Sequence, residues 1–454
     1  MVGRDATNEV KAFHSLETQQ FMRKFQIGRI EGQWEDVVPP IQGGKFMKRD
    51  EIENRTESES GVEEEVGESS EEERSEEPSP IFEASEHRTA SFRRRRGSNG
   101  AASDSSATSL DSLELDKPAM HGCKQTTGDA RTQEELQHDL DLFPSLDPIT
   151  QATIIEKYNQ LDSRIKAASL YNCNYTAYAI ELTRYTVLAL LSYYLLQKQY
   201  FVLSAAFLGM LWHQLVFTVH DAGHMGITHN YHTDTCIGIL IADFLGGLSV
   251  CWWRQNHNVH HIVTNSAEHD PDIQHMSLFA ITHRFFESLR STYYDRIMTY
   301  DPFAKFMLKY QHYFYYPILT FGRFNLYVLS WQYIFLGQGP RKGPARYHHH
   351  LEMLGQAFFW YWFGYLLLYR SIPTATSRIL YVLVSHAITM PVHVQITLSH
   401  FAMSTADLGP AESFPQRMLR TTMDVDCPAW LDFFHGGCSF RLCIICSLGS
   451  RGII

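Results

Sequence analysis

The 454-residue chain has little of what marks secreted proteins. It holds only eight cysteines and opens on no apolar secretory leader, so neither a disulfide framework nor export is expected. Lys and Arg number 39 against 50 Asp and Glu, a formal net charge of -11, and no nucleic-acid partner is expected. Glu is concentrated near the N-terminus, whereas residues 170–400 are rich in Leu, Tyr, Phe and Trp. The two parts therefore need separate interpretations.

Long apolar runs are few, and all of them lie in the second part of the chain. Four are each about long enough to cross a membrane as a helix, and they are residues 181–197, 200–219, 354–371 and 378–399. The run Ile237–Val250 is shorter and contains Asp243, so it is predicted to be interfacial or re-entrant. The stretch 312–336 carries Arg323 and is also predicted to lie at the interface. The sequence therefore indicates a multi-pass membrane protein whose spans form two hairpins.

Histidines are concentrated in two short motifs, HDAGH and HNVHH. His220 and His224 are spaced i, i+4, and the second motif places His257, His260 and His261 at i, i+3, i+4. On helices, each set of imidazoles shares one face. One such pair can arise by chance among 23 histidines, but both motifs adjoin apolar segments and are predicted to lie at the same membrane surface. Imidazole-rich sites suit iron, zinc or copper, so a transition-metal site is predicted.

The motifs HDAGH, WWRQNHNVHH with the following HDPDIQH, and HVQITLSHF resemble those of the membrane fatty-acyl and sphingolipid desaturases. Near the N-terminus, GRDAT and FHS resemble the second half of a cytochrome b5 domain. Together they most resemble the fungal delta-8 sphingolipid desaturases, over residues 1–44 and about 131–437. The resemblance implies a mainly α protein: a four-transmembrane-helix desaturase domain (131–437) with a cytosolic helical cap. It also implies an endoplasmic reticulum membrane location with both termini cytosolic.

What the resemblance implies about chemistry is an O2-dependent desaturase with two Fe ions held almost wholly by histidine. The expected substrate is the long-chain base of a ceramide or other sphingolipid within the membrane lipids. Electrons are expected from a cytochrome b5 module served by an NAD(P)H-dependent reductase. The expected metal ligands are His220, His224, His257, His260, His261 and His400.

Three acidic residues lie beside these histidines. Asp221, Asp270 and Asp272 are predicted to accept hydrogen bonds from imidazole N–H groups and so orient the ligands; capping of helices is the alternative. His400 matches a ligand position of the desaturase pattern at a predicted transmembrane exit. A structural histidine at the membrane interface is its alternative.

The N-terminal part divides into two predicted segments. Residues 1–44 resemble the C-terminal half of a cytochrome b5 domain, in which His14 corresponds to one axial ligand of haem b. The partner ligand lies in an HPGG motif that the 454 residues lack, so haem binding is expected only if the other half is present. For the chain as given, a surface role for His14 is the alternative. Residues 45–130 are acidic and Ser-rich without hydrophobic periodicity, which predicts a disordered linker.

A third histidine motif of the form QxxHH is expected after DFFHGG, but no histidine follows Gly437. The residues there begin Cys-Ser-Phe-Arg-Leu-Cys-Ile-Ile. Codons compatible with them, read one base earlier, spell Leu-Gln-Phe-Gln-Ala-Val-His-His. We therefore interpret residues 438–454 as an aberrant tail that a one-base frameshift has put in place of the third motif. The CxxC formed by Cys443 and Cys446 is accordingly not interpreted as a zinc or redox site.

Other functions are compatible with some of the same sequence features. A front-end fatty-acyl desaturase shares the same motifs, and so does a hydroxylase of the same metal class. A catalytically inactive membrane remnant would explain the missing haem ligand and the missing third motif. The paired apolar hairpins exclude a soluble zinc hydrolase.

Overall fold

The computed structural model describes residues 127–436 apart from 145, 341, 344, 407, 409–411 and 424–427, and short N-terminal pieces. Those pieces are residues 7, 10, 16–26, 28, 37–38 and 47–48. They contain helix α1 (Leu16–Met22), a 3-10 turn, and the antiparallel two-residue strands β1 (Val37–Val38) and β2 (Met47–Lys48). His14, most of the predicted linker and the tail after Gly436 lie outside the described residues.

Two polar helices, α2 (Thr127–Leu142) and α3 (Pro148–Ala167), precede the apolar part. The second begins at Pro148, because the Asp147 carboxylate accepts hydrogen bonds from the Ile149 and Thr150 amides at 3.0 Å and proline is favoured at the first helical position. Helix α2 is joined to the following domain through the Glu135 carboxylate, 2.9 Å from the His283 ring. These helices correspond to part of the predicted cap.

The first apolar hairpin consists of α4 (Tyr175–Gln197) and α5 (Phe201–Gly223). The Ser192 hydroxyl donates to the Ser204 carbonyl at 2.9 Å, and the Ser204 hydroxyl donates to the Ser192 carbonyl at 2.8 Å. These reciprocal bonds satisfy both hydroxyls between the two helices. These bonds lie beside the turn of the hairpin, and at the other end of α5 the Tyr178 hydroxyl of α4 donates to Asp221 of HDAGH at 2.8 Å.

A broken helix follows. Helix α6 (Tyr231–Ile239) continues as a π-helical segment, Leu240–Leu245, and after a short break α7 (Val250–Ile262) runs at 118° to it. Glycine is required in the break, because Gly247 has a φ of +71° and an added Cβ would lie 2.4 Å from the Phe359 ring. The bend agrees with the interfacial or re-entrant prediction for this run, and it brings the HNVHH motif back toward HDAGH.

The remaining elements complete the cap and the membrane part. They are a 3-10 turn (His283–Glu287), strands β3 (Arg290–Ser291) and β4 (Arg296–Ile297), α8 (Pro302–Lys309), α9 (Gln311–Thr320), α10 (Gly322–Phe335), α11 (Arg346–Phe359) with its π-helical continuation Trp360–Ser371, α12 (Ala375–Ala387), α13 (Met390–Phe401), α14 (Phe414–Thr421), a 3-10 turn (Ala429–Leu431) and α15 (Asp432–His435). The buried core lies around Trp212, which contacts Phe359 and Phe363.

The number of membrane spans differs from the predicted four. Within the described residues, two helical units are long and apolar enough to cross a membrane, Phe201–Gly223 and Ala375–Phe401, and the bent pair α6–α7 is a third if counted as one span. The predicted segments 181–197 and 354–371 are helical but are not among these. Tyrosines and the charged Glu181 and Arg184 lower the hydropathy of the first. The structure thus confirms a mostly helical membrane domain and leaves the four-span count unconfirmed.

Candidate metal centre

The two histidine motifs meet between the C-terminal end of α5 and helix α7. Four histidines each direct one ring nitrogen to the same place, and these four nitrogens lie within 4.8 Å of one another. The residues are His220, His224, His257 and His261. The His257 and His261 Nε2 atoms are 2.8 Å apart. Two motifs separated by more than thirty residues therefore supply one four-imidazole cluster.

The close approach of the two helices depends on the glycine within HDAGH. A Cβ at Gly223 would lie 2.4 Å from the Trp253 ring, so any larger residue would push α7 away. The Trp253 indole stacks on the His257 imidazole with ring centroids 4.5 Å apart and also contacts His220. Packing on the indole fixes the orientation of the imidazoles before any metal binds.

The hydrogen bonding in the cluster fits a cation. Among the residues that the structure describes, the Nε2 atom of His224 and the Nδ1 atom of His261 are buried without a hydrogen-bond partner. A buried polar nitrogen without a partner is costly in a folded protein. A divalent cation bound by these imidazoles would satisfy such atoms, and the donor set of four neutral nitrogens suits iron as well as zinc or copper. The described residues at this site therefore fit a transition metal.

A second pair of imidazoles lies beside the cluster. The Nε2 atoms of His260 and His400 are 3.3 Å apart. The Nδ1 atom of His260 is 2.8 Å from an Asp270 oxygen, and that of His400 is 3.2 Å from the Thr421 carbonyl. Both acceptors require a proton on Nδ1, so the two Nε2 atoms present lone pairs toward each other. A cation between them would turn this repulsion into coordination.

The three predicted acidic residues occupy different positions. Asp270 is fully buried and accepts from His260 Nδ1 and from the Asn265 amide at 2.8 Å. Burial raises its pKa above the usual range, and the nearby His260 opposes this shift. Asp272 accepts from His257 Nδ1 at 3.2 Å and from the Asn256 side chain. Asp221 instead accepts from the Tyr178 hydroxyl at 2.8 Å and lies 3.7 Å from His220, beyond hydrogen-bond distance.

Sequence reasoning missed several residues that hold the centre together. The Asn265 side chain donates to the His400 carbonyl at 2.7 Å, and its left-handed backbone, φ +60°, turns the chain toward Asp270. The backbone carbonyl of Thr421 carries no sequence signal. The TN dipeptide after HNVHH was a usable signal, because asparagine tolerates the left-handed region.

Replacing Asp270 with alanine is expected to destabilise the protein. The change leaves His260 Nδ1 and the Asn265 amide unpaired in a buried place, and each such group costs about 1–3 kcal/mol. The thermal unfolding midpoint of the purified protein measures the effect. Glu268→Ala is the matched control, because its carboxylate is 37% exposed and pairs with Arg284 at the surface, where an ion pair contributes little. Equal losses in the two variants would contradict the role assigned to Asp270.

Comparisons with known proteins agree with this geometry. A family model described as Fatty acid desaturase matches residues 199–441, which include all six of these histidines. The delta 8-(E)-sphingolipid desaturase of Emericella nidulans is 58% identical over 441 residues, covering 97% of this chain and 77% of the relative. That of Kluyveromyces lactis is 46% identical over 448 residues, covering 97% and 76%.

A plant relative matches over a shorter stretch. The delta(8)-fatty-acid desaturase of Helianthus annuus is 38% identical over 243 residues, which cover 53% of this chain and 51% of the relative. The fungal relatives, in contrast, extend through nearly the whole chain. Motif, geometry and similarity thus agree, and the chain belongs to the fatty acid desaturase family.

Proposed function

We propose that this protein is a di-iron, O2-dependent desaturase that introduces a delta-8 double bond into the long-chain base of a sphingolipid. The proposal rests chiefly on one observation: histidines of HDAGH and HNVHH lie together in one four-imidazole cluster. Fungal relatives that carry this name align with 97% of the chain, which supports the substrate class. The apolar helices beside the cluster support a substrate that is itself a membrane lipid.

The proposed ligands fall into two sets. His220, His224, His257 and His261 form the first, and His260 with His400 belongs to the second. When bound, iron supplies the oxidation of unactivated methylene C–H bonds, which no side chain provides. The protein supplies orientation: Asp272 holds His257 and Asp270 holds His260 by their Nδ1 protons, so that each Nε2 faces inward.

Asp221 has a less direct proposed role. It accepts from Tyr178 of α4 and lies beside His220 at the end of α5. The contact joins the two helices of the first hairpin where the first motif begins. Asp221 therefore fixes the position of His220 along α5 relative to α4, and it does not accept a hydrogen bond from the His220 ring.

Electron supply is part of the same proposal. Desaturation with O2 consumes two electrons per turnover from outside the site, and a tethered haem module suits that need. We propose that residues 1–44 belong to a cytochrome b5 unit in which His14 is one haem ligand, and that 45–130 is the tether. A cytochrome b5 reductase would then reduce the haem. An endoplasmic reticulum location, four membrane spans and cytosolic termini complete the proposal.

The substrate class is tested by lipid analysis of a host that lacks delta-8 desaturation and expresses the protein with its third histidine motif restored. We expect a new double bond in the long-chain bases, measured by mass spectrometry after hydrolysis of the sphingolipids. The Helianthus relative's name favours one specific alternative, desaturation of a fatty-acyl chain. A product confined to the fatty-acid fraction would establish that alternative and overturn the sphingolipid assignment.

A further inference from the structure

The break between α6 and α7 exposes backbone groups within an apolar region, and side chains from other helices bind them. The Trp362 indole donates to the Phe244 carbonyl at 2.8 Å and the Trp212 indole to the Leu245 carbonyl at 2.9 Å. The Arg323 guanidinium donates to the Gly246 carbonyl at 2.6 Å. Three consecutive carbonyls at the C-terminal end of the α6 segment thus have hydrogen-bond donors. Backbone groups that cannot reach water need such partners within the protein.

The beginning of α7 is held in the same way by acceptors. Glu352 accepts from the Ser249 hydroxyl at 2.6 Å and from the Cys251 amide at 3.1 Å. The Ser249 hydroxyl in turn accepts from the Trp252 amide at 3.0 Å. The Ser249 amide donates to the Ser330 hydroxyl at 2.9 Å. Each of these contacts fixes a group in the first turn of the helix that carries HNVHH.

Helix α11 is shaped to bring its carboxylate to this point. An added Cβ at Gly355 would lie 2.7 Å from both Asp243 Cβ and the Phe244 ring, so glycine allows α11 to contact the break directly. Glu352 lies three residues earlier on the same face. It is 1% exposed, and a carboxylate buried to this extent is retained only where it has specific partners.

The charges match the two helix ends. The Arg323 guanidinium lies at the C-terminal, carbonyl end of the α6 segment, and the Glu352 carboxyl group lies at the N-terminal, amide end of α7. A positive charge at the first end and a negative charge at the second are the signs that stabilise a helix dipole. Arg323 is 3% exposed, lies 4.2 Å above the Trp212 ring and also donates to the Tyr327 hydroxyl at 3.1 Å. Both ends of the break are therefore held by an ionisable side chain from another helix.

We propose that Glu352 and Arg323 are positioning residues that fix the direction of α7 and thereby the position of its three histidines. Cys251 and His261 are about 15 Å apart along a helix that rises 1.5 Å per residue. A tilt of about 10° at the Glu352 contact would move His261 by about 2.6 Å, far beyond the tolerance of about 0.2 Å for a metal ligand. Glu352 and Arg323 would therefore affect the reaction only by positioning the histidines of α7.

Hydrogen exchange of the full chain in detergent tests this role without metal. We expect Glu352→Ala to accelerate exchange in the peptide covering α7, while exchange in α4 and α12 stays as in the unmodified protein. Glu352→Gln keeps an oxygen acceptor but loses the charge, so its effect should be intermediate. Unchanged exchange in α7 in the alanine variant would overturn the proposal, and so would equal acceleration throughout the domain.

Titration with Co2+ adds a readout that a purely structural contact would not change. This part rests on the proposed metal centre. Affinity is expected to fall about tenfold in Glu352→Gln and about a hundredfold in Glu352→Ala, the range seen when outer-shell support is lost. Glu156→Ala on the exposed face of α3 is the control and should bind as the unmodified chain does. If the unmodified chain binds no Co2+, the proposal of a metal centre is wrong. If the Glu352→Ala variant binds Co2+ with full affinity, the proposed positioning role of Glu352 is wrong.

Discussion

Restoring the third histidine motif after Gly437 is expected to turn an inactive chain into an active desaturase. For the proposed pair of ions, the described residues offer four imidazoles to the first but only His260 and His400 to the second. Two more histidines from a QAVHH segment would complete the second set. We expect delta-8 product to rise at least about a hundredfold over the 454-residue chain, because loss of outer-shell support alone costs 10–100-fold and this change concerns the ligands themselves.

The comparison uses two genes that differ by one restored reading frame, expressed in the same desaturase-deficient host. Long-chain bases are measured by mass spectrometry, and metal content is measured on the purified proteins. The 454-residue chain should retain one tightly bound ion and the restored protein should gain a second. A third gene, in which both restored histidines are alanine, keeps the new tail but should remain inactive.

Two results would contradict this expectation. Full activity from the 454-residue chain would mean that His260 and His400 need no further histidine ligands. A genomic and transcript sequence in which no neighbouring frame encodes QAVHH would remove the frameshift interpretation itself. Either result leaves the four-imidazole cluster of the first two motifs unaffected, because that cluster is built only from residues before Gly437.

Local signals predicted much of the fold. Asp147 followed by proline is a local signal for the start of a helix, and in the structure its carboxylate accepts both cap hydrogen bonds of α3. Spacings of three and four residues predicted that the histidines of each motif share a helix face. Four of the five do gather into one cluster, whereas His260 lies beside it and pairs with His400. Such predictions succeed because a cap or a helix face depends on residues within one or two turns.

Features that depend on partners far along the chain were not predictable in the same way. The charge of Arg323 led to an interfacial prediction for the stretch 312–336. Its guanidinium is nevertheless buried, because the Gly246 carbonyl and the Tyr327 hydroxyl accept hydrogen bonds from it. Glu352 carried no signal at all, since its partners lie about a hundred residues earlier. A hydropathy scale assigns a charged side chain the cost of burial without any partner. In the folded protein, other residues provide the acceptors and donors that reduce this cost.

His261→Ala and His260→Ala are expected to have very different effects on metal affinity although the two residues are adjacent. His261 belongs to the four-imidazole cluster, while His260 pairs with His400. Binding free energies of about 10–16 kcal/mol for sites with four ligands correspond to about 3 kcal/mol per ligand. That energy equals about a hundredfold in affinity.

Co2+ titration of the 454-residue chain measures this difference directly. His261→Ala should bind about a hundredfold more weakly, and His260→Ala should bind nearly as tightly as the unmodified chain. His312→Ala, an exposed histidine, controls for histidine loss in general. Consecutive helical residues point about 100° apart, so one backbone element can serve two ions with neighbouring side chains. Equal weakening by both substitutions would mean that the six imidazoles hold a single shared ion, and the division into two ligand sets would have to be abandoned.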